Sequence, residues 1–343
     1  MNFAEAAAYL AERLPVPDAL IRAGISGLVE RTDRVLVAAG LDPEVAFARD
    51  MDNYPIAVHT DAANTQHYEL PSGFFEWVLG PRLKYSSCYF EDGQNELDGA
   101  EQDGLARTVA NAGLADGQQI LELGCGWGSL SLVMAERFPK ARITAVSNSY
   151  SQRAHIESLA LARGLTNLNV ITCDMNDFLA DRLYDRVLSV EMFEHMSNWR
   201  ALLAKVKSWL SPDGRAFIHV FTHNAAPYRF DAAAKEDWIA RHFFTGGIMP
   251  SHGLIRRFPD LFEVEAEWRW SGTHYASTAR AWLNNFDRNI DAILPLLRAT
   301  YGDDAQLWRR RWRMFFLATE GLFGHSGGKS WGISQYRLKP HLA

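Results

Sequence analysis

Two short stretches of the chain hold residues able to do chemistry. The first is EMFEH (191–195), which sets two carboxylates and an imidazole within five residues. If the segment begins a helix, Glu191, Glu194 and His195 are spaced i, i+3 and i+4 and share a face. Such a group attracts an ammonium, and its base can remove the proton that blocks the nitrogen lone pair. The plainer alternative is an acidic helix start capped by a histidine. The second stretch is LELGCGWGSL (121–130), an apolar run ending in Gly124, Gly126 and Gly128. Glycines there let the backbone turn tightly and approach a ligand with no Cβ between them. The spacing is G-x-G-x-G rather than the G-x-G-x-x-G of pyrophosphate binders, and Glu122 precedes the first glycine. Both features suit a ligand that carries an amino acid, whose ammonium a carboxylate can meet. A purely structural strand-to-helix turn would use the same glycines.

The following strand ends add polar candidates. VSNSYSQ offers Asn148 and Gln152, whose amides both donate to and accept from a diol. Helix capping and an exposed face are their alternatives. CDMND places Asp174 to take an amino group of a heterocycle, with Met175 beside the ring; a helix cap is again the alternative. His219 and His223 stand four apart but follow a strand, so no metal site is expected. Cys88, Cys125 and Cys173 are too few and too scattered for a disulfide framework or a zinc site. The basic run WRRRWRMFF (308–316) reads as a solvated helix face with aromatics inward, or as a contact for acidic lipid head groups.

The elements that must position these residues follow from periodicity. Apolar runs at 118–124, 141–147, 168–174, 184–190 and 214–220 alternate with helical patterns, including a short helix after the third run. That alternation predicts a doubly wound α/β sheet, Rossmann-like, with parallel strands covered on both faces. FEVEAEWRWS (262–271) and SWGISQYRLK (330–339) are expected to close one edge of it. Residues 1–95 read as an N-terminal helical and covering segment, and 96–343 as the core. Insertions at about 223–260 and 274–325 form a helical lid over the edge where open α/β sheets bind ligands. Lys plus Arg number 35 against 41 Asp plus Glu, a net charge of −6, so nothing global invites nucleic acid. No apolar run approaches the roughly 18 to 20 residues of a bilayer span. The acidic start lacks the pattern of a secretion signal, and a cytoplasmic protein is expected.

Taken in order, LKYSSCYF (83–90), LELGCGWGSL, SNSYSQ (147–152), SVEMFEHM (189–196), SGTHYASTARAW (271–282) and FGHSGGKSW (323–331) resemble the cyclopropane-fatty-acid synthase superfamily. QHYELP (66–71) belongs to the same set. Within the superfamily the sequence is most similar to the coclaurine N-methyltransferases. The resemblance implies a class I methyltransferase fold, S-adenosylmethionine as cofactor, and Tyr85, Ser86, Gly124, Gly126, Asn148, Gln152, Asp174 and Met175 as its contacts. It also implies Glu194, His219 and Tyr275 as counterparts of residues that hold bicarbonate in cyclopropane synthases. Ser87 stands where those enzymes have cysteine, and Glu191 where they usually have glycine. The two departures favour an amine as methyl acceptor over an alkene in a fatty acyl chain, the alternative.

The expectation is therefore methyl transfer to the nitrogen of a small, aromatic-bearing amine. Glu194 and His195 would orient and deprotonate the amine, and Glu191 would support its charge. Tyr68, His219, His223, Tyr275, Phe323 and Trp331 are expected to wall the acceptor pocket, because aromatic faces suit cations. The partners expected are the small amine and, at most, a second copy of the chain in a homodimer. Neither nucleic acid nor an integral membrane association is expected.

Overall fold

A computed structural model describes residues 3–40, 42–58, 70–92, 96–234 and 237–341. The five apolar runs form parallel strands β1 (Gln119–Leu123), β2 (Arg142–Ser147), β3 (Leu168–Thr172), β4 (Tyr184–Val190) and β5 (Leu210–His223). After the two-residue pair β6 (Tyr228–Arg229) and β7 (Ile248–Met249) come β8 (Phe262–Ser271) and β9 (Trp331–Pro340). The main sheet runs β3-β2-β1-β4-β5-β9-β8, with β9 antiparallel to both neighbours. The two late stretches thus close the edge as expected, and the last strand slips between β5 and β8.

The chain begins with helices α1 (Phe3–Arg13), α2 (Asp18–Val37), α3 (Pro43–Met51) and α4 (Ser72–Val78). The core helices are α5 (Leu97–Ala112), α6 (Ser129–Arg137), α7 (Tyr150–Ala162) and α8 (Trp199–Trp209). Both sheet faces are covered, which is why the strands read as continuous apolar runs. Leu105 and Val109 of α5 and Met134 of α6 pack on Ile120, Ile143 and Leu188. Leu202, Leu203 and Val206 of α8 pack on Leu121, Val187 and Ile218 of the other face. The short helix expected after β3 does not form. Asp174 Oδ1 instead accepts from the Asn176 amide at 2.8 Å, closing a turn. The Asn176 side chain then bonds both the N–H and the carbonyl of Ala57 at 3.1 Å, tying the covering segment to the sheet edge.

A later helical layer consists of α9 (Trp238–His242), α10 (Gly272–Arg288), α11 (Ile290–Tyr301) and α12 (Ala305–Gly324). It shares one hydrophobic cluster with the N-terminal helices: Val29, Phe74, Phe75, Trp282, Phe286, Trp312 and Phe316 pack together. Fully burying an aromatic of this kind contributes about 1.5–3 kcal/mol. The basic run lies on α12 with Trp312 and Phe316 turned inward. Arg311 pairs with Glu12 at 3.2 Å, and Arg313 with Asp18 at 3.0 Å and Asp287 at 2.7 Å. Those two arginines serve helix packing. No described helix is long and apolar enough to cross a membrane.

Candidate active site

β1 ends in the glycine turn, where Gly124, Gly126 and Gly128 all have positive φ (77°, 53° and 84°). The turn is anchored by the Gly124 and Cys125 amides, which both donate to Val146 O at 2.9 and 3.0 Å. A Cβ at Gly124 would fall 2.6 Å from Met192 Cγ, whereas one at Gly126 would meet nothing within 4 Å. Gly126 therefore faces open space, and that space is a cavity along the ends of β1, β2 and β3. It is lined by all eight residues expected to contact the cofactor: Tyr85, Ser86, Gly124, Gly126, Asn148, Gln152, Asp174 and Met175.

Local bonding explains the arrangement. Ser149 caps α7, its hydroxyl accepting from the Gln152 amide at 3.3 Å, so the capping role weighed for Asn148 falls to its neighbour. Ser147 Oγ donates to Gln152 Oε1 at 2.6 Å, leaving the buried Gln152 Nε2 with no hydrogen-bond partner among the described residues. Glu122 is buried on the cavity wall and accepts from Ser131 Oγ. Burial pushes its pKa up to about 7, the Ser131 hydroxyl offsetting part of the rise. A buried carboxyl at its titration point ionises readily beside an arriving ammonium. An orphaned amide donor, a glycine cradle and this carboxyl fit a nucleoside joined to an amino acid.

EMFEH is not the start of an α-helix. Glu191 takes a left-handed conformation (φ 48°), and only a single 3₁₀ turn follows at Phe193–His195. The turn separates the two carboxyls instead of stacking them. Glu191 and His195 line the cavity, and Glu194 sits behind its wall with no exposed surface. Glu191 Oε1 accepts from the Ser87 amide at 2.8 Å and lies 3.2 Å from His219 Nε2, while Oε2 accepts from Tyr275 Oη at 2.8 Å. Burial works against its charged form, but the His219 bond, the positive charge of Lys84 and the Ser87 amide outweigh it. Its pKa stays below the ordinary value. Glu194 Oε1 accepts from the Phe221 amide at 2.6 Å, and its Oε2 has no partner among the described residues. Burial, then the Glu191 charge, push its pKa well above the ordinary range. Two carboxyls three residues apart are thus pushed in opposite directions, Glu191 toward the ionised form and Glu194 toward the protonated one.

A chain of buried amides orients the imidazole that faces Glu191. Asn111 Nδ2 donates to Gln335 Oε1 at 2.6 Å, which turns Gln335 Nε2 toward His219 Nδ1 at 3.0 Å. His219 Nδ1 is then the acceptor and Nε2 carries the proton that meets Glu191. Burial lowers the His219 pKa, so the ring donates as neutral imidazole.

Of the residues expected to wall the acceptor pocket, His219, His223, Tyr275, Phe323 and Trp331 are all buried, and none lines the cavity described above. Tyr275 and Phe323 stack at 4.4 Å and continue through Phe221 and Phe244 to His195, which lies 4.4 Å from the Phe244 ring. His219 stands behind Glu191 rather than facing an acceptor. His223 is a correction: it is fully buried, with Nε2 3.0 Å from Asp33 and Nδ1 accepting from the Ala226 amide. It pins α2 to the end of β5, with His325 and Ser330 also bonded to Asp33. Trp331 is likewise withdrawn from the pocket, buried 4.8 Å from His223. Tyr68 lies outside the described residues. Sequence reasoning missed Lys84, Phe221, Phe244, Gln335 and Asn111.

The strand order, the glycine turn and the cavity they open define an S-adenosylmethionine-dependent methyltransferase of class I fold. The family model of mycolic acid cyclopropane synthetases matches residues 58–326, and the chain belongs to that family. It is 35% identical over 300 residues to (S)-coclaurine N-methyltransferase of Thalictrum flavum subsp. glaucum, covering 86% of this chain and 83% of that one. The cyclopropane-fatty-acyl-phospholipid synthase of Escherichia coli (strain K12) is 29% identical over 270 residues, covering 78% and 66%. Among solved structures, coclaurine N-methyltransferase bound to N-methylheliamine and S-adenosylhomocysteine superposes with a TM-score of 0.92 at 32% identity. That match covers 96% of this chain and 98% of the other.

Proposed function

We propose that this enzyme transfers a methyl group from S-adenosylmethionine to the nitrogen of a small amine on an aromatic, alkaloid-like framework. One observation carries the reading: the Glu191 carboxylate fills the niche made by the Ser87 amide, His219 and Tyr275. An enzyme that quenches a carbocation with a bound anion needs that niche open. An enzyme that receives an ammonium gains from a fixed negative charge there. The coclaurine and pavine N-methyltransferases of Thalictrum flavum, 35% and 30% identical, support the amine reading.

When bound, the cofactor supplies a sulfonium methyl whose transfer releases a neutral thioether, so no acid is required. The chain's own task is to hold the nitrogen in line and remove its proton. His195 is the base placed on the cavity wall, and the ammonium proton goes to its ring. Glu191 holds the cation before that proton leaves, and the rings of Phe244, Phe221, Phe323 and Tyr275 offer it π faces. Glu194, neutral and behind the wall, is a positioning residue rather than the base expected from its sequence position. Residues 1–95, with the lid at about 223–260 and 274–325, enclose the acceptor. A cytoplasmic location belongs to this reading and is supported by three unpaired cysteines. A homodimer is compatible with it, and light scattering on the purified protein decides that point.

The test is incubation with methyl-labelled cofactor, a panel of primary and secondary amines, and unsaturated phospholipid, in buffer depleted of carbon dioxide. Label is expected in an amine with no need for bicarbonate. Label in the lipid alone, dependent on bicarbonate, would overturn the reading.

A further inference from the structure

Lys84 is only 1% exposed and yet lines the cofactor cavity. It is the one Lys or Arg among the described residues on that wall. Its ammonium donates to Ser86 Oγ and to Ser87 O, both at 2.6 Å. The third proton has no acceptor among the described residues. Two carboxylates feel its charge, but both are committed elsewhere. Glu101 accepts from the amides of Gly80, Arg82 and Lys84 itself. Glu191 is taken by Ser87, His219 and Tyr275. The fold makes room for the lysine stem: a Cβ at Gly104 of α5 would stand 3.4 Å from Lys84 Cε.

A buried ammonium without a direct anionic partner is costly unless an anion arrives. The amino-acid arm of S-adenosylmethionine brings one anion and one cation into this cavity. Glu122 is the carboxyl suited to the cation, which leaves the carboxylate in need of a positive partner. We propose that Lys84 Nζ receives the α-carboxylate of the cofactor's amino-acid arm. Lys84 is then a cofactor-binding residue, and Glu101 and Gly104 position it. The assignment rests on the methyl-transfer reading of the cavity.

Calorimetry with S-adenosylhomocysteine and with decarboxylated S-adenosylmethionine, which keeps the ammonium but lacks the carboxylate, tests it. Lys84→Met should weaken S-adenosylhomocysteine binding by about 10- to 100-fold, the range for a hydrogen bond to a charged group. Affinity for the decarboxylated compound should change by less than about threefold. Equal losses for both compounds, or no loss for S-adenosylhomocysteine, would overturn the assignment while leaving methyl transfer standing. Should the variant fail to fold, wild-type protein suffices: it should prefer S-adenosylhomocysteine over 5′-methylthioadenosine, and over the decarboxylated compound by at least tenfold. Equal wild-type affinity for S-adenosylmethionine and its decarboxylated form, which differ only in the carboxylate, contradicts the role of Lys84. Wild-type protein that binds no S-adenosylhomocysteine removes the methyl-transfer reading itself.

Discussion

The cofactor half of the cavity is built largely from residues 122–175, three successive strand ends and their turns. The surroundings of Glu191 draw instead on five separated segments, with Ser87, His219 and Tyr275 bonded to its carboxylate and Phe323 stacked on Tyr275. In the first half Asn148, Gln152 and Asp174 sit where strand-turn-helix units put them, through local bonds such as the Ser149 cap, while Lys84, Tyr85 and Ser86 come from elsewhere. In the second, protonation states are set by partners far away in sequence. The relay from Asn111 through Gln335 to His219 spans more than 200 positions to orient one carboxylate. A methyltransferase can thus keep its cofactor site on a local module and vary its acceptor chemistry through single residues at the convergence point.

The largest effect should break the cofactor half alone. Gly126→Val forces a β-branched residue into a φ of 53° and projects its side chain into the cradle. S-adenosylhomocysteine binding should fall below detection by calorimetry while the circular dichroism of the fold persists. Undiminished affinity would remove the turn from the site. On the acceptor side, His195→Ala should cost about 10²–10⁴ in turnover, with cofactor affinity nearly unchanged. Raising the pH should recover part of that loss, because more amine arrives already deprotonated. A loss independent of pH would make His195 a wall and not a base.

Glu191→Gly asks whether the niche is an anion site. Glycine accepts the φ of 48° there, and the substitution bares the Ser87 amide, His219 and Tyr275 donors. Turnover should drop by about 10² and recover in part with added formate or bicarbonate, measured as labelled amine. No rescue by either anion would show that the carboxylate acts through its tether. The smallest effect belongs to Glu122. Its pKa near 7 means that it is mostly protonated at pH 6 and mostly ionised at pH 8. An ammonium arriving with the cofactor favours the ionised form, so binding should release close to one proton at pH 6 and almost none at pH 8. Calorimetry in buffers of different ionisation enthalpy reads that number directly.

The same division governs what could be read from the sequence. YDRVLSV and FEVEAEWRWS became β4 and β8 over the residues expected, since apolar or alternating runs bounded by turns report burial directly. The eight positions expected to hold the cofactor, which line the cavity, were accessible through strand ends and family resemblance. EMFEH misled because spacing alone says helix, while a left-handed Glu191 ends the regular backbone at its first residue. The Ser87 amide carries no side-chain signature. His223 matched a pocket residue in place and type, but its partner Asp33 lies 190 positions away. Lys84 did leave a signal: a cation in the apolar and aromatic run LKYSSCYF, beside the residues credited with holding the cofactor.

The opposite charge states of Glu191 and Glu194 are the centre of the account, and one paired measurement tests them most directly. Glu191→Gln and Glu194→Gln are isosteric, each replacing a carboxyl by a neutral amide. Turnover of both should be measured beside wild type from pH 6 to 9 under saturating cofactor and amine. Loss of a charge already present should make Glu191→Gln slower by at least about 10². Glu194→Gln, which replaces a group already neutral, should stay within about tenfold of wild type. Equal losses, or the larger loss at Glu194, would contradict the assignment and return the role of base to Glu194.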